Sequence, residues 1–179
     1  EVAEAIRFGT YHKAKVSDLH DAVGKKIAKL AGSEAAMVTS GATASMVLGT
    51  AACMTMGERE KIEQLPDTMG MRNEVIIQKN HRYTYDRALI AAGAKMVTVS
   101  SEEELLSAIG DRTAMMFWLL ANHNPDGDNI AMGRFIEIAS EHSIPTFLDG
   151  ATMTPPASNV VEACNLGFDM VGFSGGKGL

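Results

Sequence analysis

From residue 35 onward the chain alternates short apolar runs with longer amphipathic stretches, and this alternation is what most constrains the fold. The apolar runs lack a helical period, so they predict β-strands. Strands that alternate with helices are typical of a parallel sheet covered on both faces. We therefore expect an α/β fold, a three-layer αβα arrangement around a mostly parallel sheet. The predicted strands are residues 35–39, 74–78, 95–99, 114–120, 145–149 and 169–173, and the predicted helices are residues 17–31, 42–54, 85–92, 102–109, 132–142 and 159–166.

Composition limits the classes of protein that fit the chain. With 179 residues, 46% of them hydrophobic and 21% charged, it is long enough for one domain with a substantial core. The net charge of −6 argues against a general nucleic-acid surface, which needs a basic face. Two isolated cysteines suit neither a disulfide framework nor a metal site. No apolar run reaches membrane-spanning length and no signal-peptide pattern is visible, so we expect a cytoplasmic protein.

Two of the predicted strands end in groups of opposite charge. Asp149 closes the run that begins at Thr146, and Lys177 follows Ser174-Gly175-Gly176 after the last predicted strand. Ligands of α/β sheets bind outside the carboxyl ends of the strands, so we expect both side chains in one crevice. A lysine that can form a Schiff base, together with an acid for the pyridine nitrogen, is the minimal equipment for pyridoxal 5′-phosphate (PLP).

Ser40, Gly41 and Ala42 open the predicted helix at residues 42–54. Backbone N–H groups at a helix N-terminus, with the helix dipole, suit the binding of a phosphate. The Ser40 hydroxyl could add a donor, and Ser174 could reach the same phosphate. The alternative is a simple helix cap, because serine and glycine are common at such turns.

Two other ligand motifs fail on this sequence. A dinucleotide reader would need G-x-G-x-x-G after the first strand, and that pattern is absent. A nucleotide-binding loop around Lys177 would need glycine where Val171 stands and serine or threonine where Gly178 stands. Each residue also has a purely structural alternative: Asp149 could be a plain strand-end carboxylate, and Lys177 could be a surface lysine.

Further candidates follow the strand ends on the same edge. His81 comes just after residues 74–78, and its ring could stack on the cofactor or could be a solvated loop side chain. One of Asn122, His123 and Asn124 could hydrogen-bond the cofactor's phenolic oxygen; the sequence does not say which. Ala151 is small enough to lie flat against a ring face. No histidine or cysteine spacing indicates a metal site.

Together these stretches resemble fold-type I PLP-dependent enzymes over nearly the whole chain. The resemblance is greatest to the family of bacterial selenocysteine synthases (L-seryl-tRNA(Sec) selenium transferases) and D-glucosaminate-6-phosphate ammonia-lyases. The serine-glycine-glycine-lysine stretch, with an aspartate one strand–helix unit earlier, is the most specific part. The matching stretches are residues 34–42, 73–78, 149–151 and 174–179.

The resemblance implies a role for each site residue. Lys177 would be the Schiff-base lysine and Asp149 the partner of the pyridine nitrogen, and His81 would be the stacking residue. The remaining cofactor contacts would come from Ser40, Gly41, Ala42 and Ser174 around the phosphate. It also implies a helical segment over residues 1–32 and a PLP-binding large domain over residues 33–179. Further strands and a small C-terminal domain, which the family has beyond the lysine, are not in this sequence.

The implied reaction is an α,β-elimination with release of ammonia from a hydroxylated amino acid or amino sugar acid. One alternative is a selenium or sulfur transferase acting on seryl-tRNA, which the acidic composition disfavours. Another is a non-catalytic scaffold that has kept the fold. Such enzymes usually build their sites between subunits, so we expect a homodimer or higher homo-oligomer. The basic residues Arg7, His12, Lys13 and Lys15 could then supply anion-binding groups to a partner's site, or could simply be solvated.

Overall fold

The computed structural model of the protein describes residues 1–120 and 127–177. The described residues form helices joined to short strands in the predicted alternating order. The helices are α1 (Val2–Tyr11), α2 (Val16–Ala31), α3 (Ala42–Thr55), α4 (Arg59–Gln64), α5 (Arg87–Ala91), α6 (Glu102–Ala108), α7 (Met132–Glu141) and α8 (Ser158–Cys164), with 3₁₀ turns at Lys79–His81 and Thr84–Asp86. The strands are β1 (Glu74–Gln78), β2 (Lys95–Val99), β3 (Thr113–Leu119), β4 (Thr146–Asp149) and β5 (Met170–Gly172).

The five strands form one sheet in the order β2-β1-β3-β4-β5, and every neighbouring pair is parallel. The chain moves from β1 to β2 in one direction across the sheet and then continues from β3 to β5 in the other. The carboxyl ends of β1 and β3 therefore form a topological switch point, where α/β sheets bind ligands. Asp149 at the end of β4 is paired with Gly172 at the end of β5. The predicted parallel α/β fold is confirmed.

Each face of the sheet carries its own hydrophobic core, as a three-layer arrangement requires. Successive strand residues point to opposite faces, so β3 sends Phe117 to one core and Trp118 to the other. We call the side of the sheet that α3 and α5 cover the α3 face, and the side that α6, α7 and α8 cover the α7 face. Buried members of the α3 face include Met46, Met54, Val75, Ile77, Leu89, Phe117 and Phe147, and those of the α7 face include Ile76, Leu105, Trp118, Phe135, Ile138, Leu148 and Phe168.

The chain divides into two compact units, Glu1–Val38 and Thr39–Leu179. The first contains α1 and α2. Helix α2 ends at Gly32, which is left-handed at φ 74° and donates its N–H to the Ala28 carbonyl. The chain then returns past Gly24, where a Cβ atom would lie 2.4 Å from the carbonyl oxygen of Ala36. Glycine at position 24 is therefore what allows this close approach.

Two local features differ from the prediction. The strand predicted at residues 35–39 is wrong: this segment is irregular, and Met37 and Val38 are exposed. A strand needs a neighbour for its backbone hydrogen bonds, and among the described residues nothing pairs with this run. Helix α4 lies where no helix is predicted. It has six residues, mostly polar and none buried, so it lacks the apolar stripe on which sequence patterns depend.

A close approach between α3 and the sheet yields a stability prediction. A Cβ atom on Gly49 of α3 would lie 2.7 Å from the ring of Phe147. Phe147 is 2% exposed and stacked on Phe117, so the ring has no room to move. We expect Gly49→Ala to lower the free energy of unfolding by about 1–2 kcal/mol, because overpacking outweighs the better helix propensity of alanine.

Urea denaturation measures this effect, and α7 supplies the control. Gly133 is an exposed helical glycine where a Cβ atom would meet no atom within 4 Å. Gly133→Ala should therefore raise the free energy of unfolding, by up to about 1 kcal/mol. A Gly49→Ala variant as stable as its Gly133→Ala counterpart would contradict the tight packing of α3 on β4.

No helix within residues 1–120 and 127–177 is long and apolar enough to cross a membrane.

Candidate active site

The carboxyl ends of β4 and β5 lie beneath the N-terminal half of α3, and this is where the candidate site forms. Phe147 belongs to the core on the α3 face, so Asp149, two residues later in the strand, points to the same face. A Cβ atom on Gly172, the partner of Asp149 across the sheet, would lie 2.8 Å from the Oγ of Ser45 in the first turns of α3. Glycine at position 172 thus brings the start of α3 over the strand ends.

Asp149 is a buried carboxylate, with 3% of its surface exposed. Its Oδ1 accepts a hydrogen bond from the backbone N–H of Ala151 at 2.9 Å, and its Oδ2 accepts one from the hydroxyl of Tyr83. Both of these donors are neutral. A buried carboxylate is costly unless it is paired with a cation or well hydrogen-bonded. The site therefore offers a fixed negative charge to which a cationic group could bind.

Tyr83 is the site residue that sequence reasoning missed. Its ring stacks on Phe117 (centroids 6.5 Å apart, 20° between planes), and Phe117 in turn stacks on Phe147 (5.8 Å, 11°). Burial raises the pKa of its hydroxyl, and the negative charge of Asp149 raises that pKa further. Tyr83 follows β1 by five residues, and the only sequence signal was its place just after a strand end.

The N-terminus of α3 has the open backbone predicted for an anion site. Gly41 precedes the helix with φ 118° and ψ 172°, a conformation essentially restricted to glycine, and a Cβ atom there would meet nothing within 4 Å. Within the described residues no side chain caps the helix, so its first N–H groups remain available. Ser40 and Ala42 flank this glycine; Ser40 is exposed and Ala42 is half-buried.

Ser174 and Lys177 follow β5 in a turn. The backbone N–H of Lys177 donates to the Ser174 carbonyl at 3.2 Å, and Gly175, Gly176 and Lys177 are exposed. A Cβ atom on either glycine would meet nothing within 4 Å. The turn leaves the sheet beside the end of β4, because Gly172 and Asp149 are paired.

His81 lies on the other face of the sheet from Asp149. Its ring is 1% exposed and packs edge-on against Trp118 of the α7 face, with centroids 4.4 Å apart. Its Nε2 is 2.9 Å from Oδ1 of Asp128, and the N–H of Leu119 approaches its Nδ1 at 3.4 Å. Burial lowers the pKa of His81, although the hydrogen bond to Asp128 opposes that shift. The structure does not bring His81 together with Asp149, and its stacking role remains a prediction.

The structure describes only some of the other predicted site residues. Ala151 is 8% exposed and contacts Asp149 through its backbone N–H. Asn122, His123 and Asn124 lie outside the described residues. Within residues 1–120 and 127–177, no group of three histidine, cysteine, aspartate or glutamate side chains could hold a metal ion. Asp149 and Ala151 thus lie together at the end of β4, Ser174 and Lys177 follow the neighbouring strand β5, and Ser40, Gly41 and Ala42 lie where α3 begins.

The chain is similar in sequence to two known proteins over most of its length. The chain is 27% identical to the D-glucosaminate-6-phosphate ammonia lyase of Salmonella typhimurium, across 99% of this chain and 49% of that protein. It is 29% identical to the 5′-C-glycyluridine monooxygenase-decarboxylase of a Streptomyces species, across 84% of this chain and 39% of that protein. The chain thus spans about half or less of the length of these relatives. No protein-family model matches it.

The chain is also similar to solved structures, and one of them is of an enzyme with the same name as the Salmonella typhimurium relative. A structure of D-glucosaminate-6-phosphate ammonia-lyase superposes with a TM-score of 0.89 at 26% identity, over 97% of this chain and 48% of that one. An alanine aminotransferase from Pyrococcus furiosus superposes with a TM-score of 0.53 at 17% identity, over 83% of this chain and 39% of that one, which shows the fold alone. The predicted resemblance to fold-type I PLP-dependent enzymes is confirmed.

Proposed function

We propose that the protein is a PLP-dependent lyase that releases ammonia from a hydroxylated amino acid or amino sugar acid. The observation that carries the proposal is Asp149, a buried carboxylate with neutral donors, at the end of β4 and beneath the start of α3. Its setting in a chain with the fold of an ammonia-lyase supports the same reading.

The residues at this edge fit the cofactor. A protonated pyridine nitrogen is the kind of cation that a buried carboxylate with neutral neighbours can bind. The phosphate would lie against the N-terminus of α3, where Gly41 keeps the backbone open and Ser40 and Ser174 add hydroxyl groups. Ala151 would lie against the ring face, as predicted from its small size.

Lys177 would hold the cofactor through its amine. When bound, PLP withdraws electrons from the α-carbon of an amino substrate and so makes the α-proton acidic. The exposed Lys177 side chain, which follows two glycines in its turn, is the base that we propose for that proton. Asp149 would keep the ring nitrogen protonated, and the surrounding core would exclude water from that contact.

The proposed substrate class is taken from the D-glucosaminate-6-phosphate ammonia lyase of Salmonella typhimurium, to which the chain is similar. D-glucosaminate 6-phosphate carries a hydroxyl group on the carbon next to its amino-bearing carbon, as an α,β-elimination requires. Loss of the α-proton and of that hydroxyl group releases water, and hydrolysis of the product then yields a 2-keto acid and ammonia. A small-molecule substrate also suits the acidic chain better than a tRNA does.

The proposal is tested by incubating the natural full-length chain with PLP and three amino acids: D-glucosaminate 6-phosphate, D-glucosaminate and L-serine. We expect ammonia and a 2-keto acid in equal amounts from at least one of them. A 2-keto acid without free ammonia, appearing only with an added keto-acid acceptor, would indicate transamination and contradict the lyase. Seryl-tRNA binding without keto-acid release would favour the transferase alternative, and no reaction with retained fold would favour the scaffold.

Quaternary structure and location belong to the same proposal. We propose a cytoplasmic homo-oligomer, in which the basic residues Arg7, His12, Lys13 and Lys15 supply anion-binding groups to a partner's site. All four side chains are exposed, which such a role requires. Charge reversal at Arg7 and Lys13 should then weaken substrate binding, and unchanged affinity would remove this part of the proposal.

A further inference from the structure

We infer that Tyr83 is a positioning residue that fixes the carboxylate of Asp149 for its contact with the cofactor, an inference that rests on the proposed function. Tyr83 lies 66 positions from Asp149 in the chain, and the fold brings its hydroxyl to Oδ2 of that carboxylate. Nothing in the sequence pattern indicated this contact.

The two donors to Asp149 hold its carboxylate from opposite ends. The Ala151 N–H binds Oδ1 and the Tyr83 hydroxyl binds Oδ2, so rotation of the carboxylate would break both hydrogen bonds. Each carboxylate oxygen can accept two hydrogen bonds, so toward the part of the chain that the structure describes both retain a free lone pair. The orientation of Asp149 is therefore set before a ring nitrogen arrives, and the capacity to bind that nitrogen remains.

The hydroxyl of Tyr83 is itself held in place. Its ring is stacked on Phe117 and packs against the buried core of the α3 face. The hydroxyl lies 3.2 Å from the sulfur of Met46, but a thioether is a weak acceptor, so the proton goes to Asp149. Because burial and the charge of Asp149 raise the pKa of Tyr83, the hydroxyl stays protonated and remains a donor.

A competing role for the Tyr83 hydroxyl would have the opposite effect on the binding of PLP. If the hydroxyl occupied the place that the ring nitrogen needs, its removal would strengthen cofactor binding. If Tyr83 orients Asp149, its removal weakens binding, and only for a ligand whose ring nitrogen meets the carboxylate. The two roles are therefore separated by the sign of the change and by its dependence on the ring nitrogen.

The test is a titration of the full-length chain and its Tyr83→Phe variant with two ligands, followed by absorbance. The ligands are PLP and 1-deazapyridoxal 5′-phosphate, in which a carbon replaces the ring nitrogen. We expect Tyr83→Phe to raise the dissociation constant of PLP about 10- to 100-fold, the range typical for a hydrogen bond to a charged group. The dissociation constant of the deaza compound should change less than about twofold.

Tyr85→Phe is the matched control, because Tyr85 is 60% exposed and lies two residues away. It should bind both ligands as the unchanged protein does. PLP binding by Tyr83→Phe that is unchanged or tighter, or an equal loss for both ligands, would overturn the positioning role while leaving the proposed function intact. Failure of the unchanged protein to bind PLP, or to prefer it over the deaza compound, would overturn both.

Discussion

Replacing Lys177 by alanine is expected to lower the rate of keto-acid release by at least about 10³-fold. The variant loses both the amine that we propose to hold the cofactor and the base for the α-proton, and general-base catalysis alone typically contributes 10²–10⁴-fold. The fold should be unaffected, because Lys177 is exposed in a turn beyond β5. The measurement is the turnover number at saturating PLP and substrate, with circular dichroism to verify folding.

Lys79 provides the matched control for this substitution. It is also exposed and follows a strand at the carboxyl edge, in the turn after β1. Lys79→Ala should retain turnover within about twofold, since surface substitutions rarely disturb the fold. A Lys177→Ala enzyme that turns over as fast as Lys79→Ala would contradict the assignment of Lys177.

Replacing Asp149 by asparagine is expected to lower turnover by about 10²- to 10³-fold. The substitution keeps the size of the side chain but removes the charge that would hold the ring nitrogen protonated. Breaking a buried charged pair by removing one partner typically costs 3–5 kcal/mol, which corresponds to rate losses of this order. The free protein should remain folded, because the Tyr83 hydroxyl can still donate to the amide oxygen of asparagine.

Asp169→Asn separates this effect from a general loss of stability. Asp169 lies just before β5, at the opposite edge of the sheet, where its Oδ2 accepts hydrogen bonds from the N–H and the hydroxyl of Thr146, both at 2.7 Å. This variant should lose stability but keep turnover per folded molecule. The expectation for Asp149 fails if the two variants retain the same activity once the fraction folded is taken into account.

The sheet and the position of Asp149 were predictable because they depend on local pattern. The predicted bounds of β1 and β2 agree with the structure at both ends, since each is a short apolar run between polar segments. Parallel strands end at the same edge, so a carboxylate after β4 had to lie at the ligand-binding side. The irregular segment at residues 35–39 was not predictable in this way, because an apolar run becomes a strand only where a partner strand is available.

The aromatic residue at the site could not be identified from the sequence. His81 and Tyr83 both follow β1, and a pattern of apolar residues does not say which face of the sheet each ring will reach. The face is decided by tertiary contacts: His81 packs on Trp118 and Asp128, whereas Tyr83 stacks on Phe117 and reaches Asp149. These contacts join residues far apart in the chain, so they depend on the completed fold rather than on local sequence.

The most direct test of the central claim is to locate the cofactor on the chain. The full-length protein is incubated with PLP, reduced with borohydride, digested and analysed by mass spectrometry. We predict a single covalent adduct on Lys177, absent from Lys177→Ala and present in Lys79→Ala. An adduct distributed over surface lysines, or one unaffected by Lys177→Ala, would contradict the account of this site.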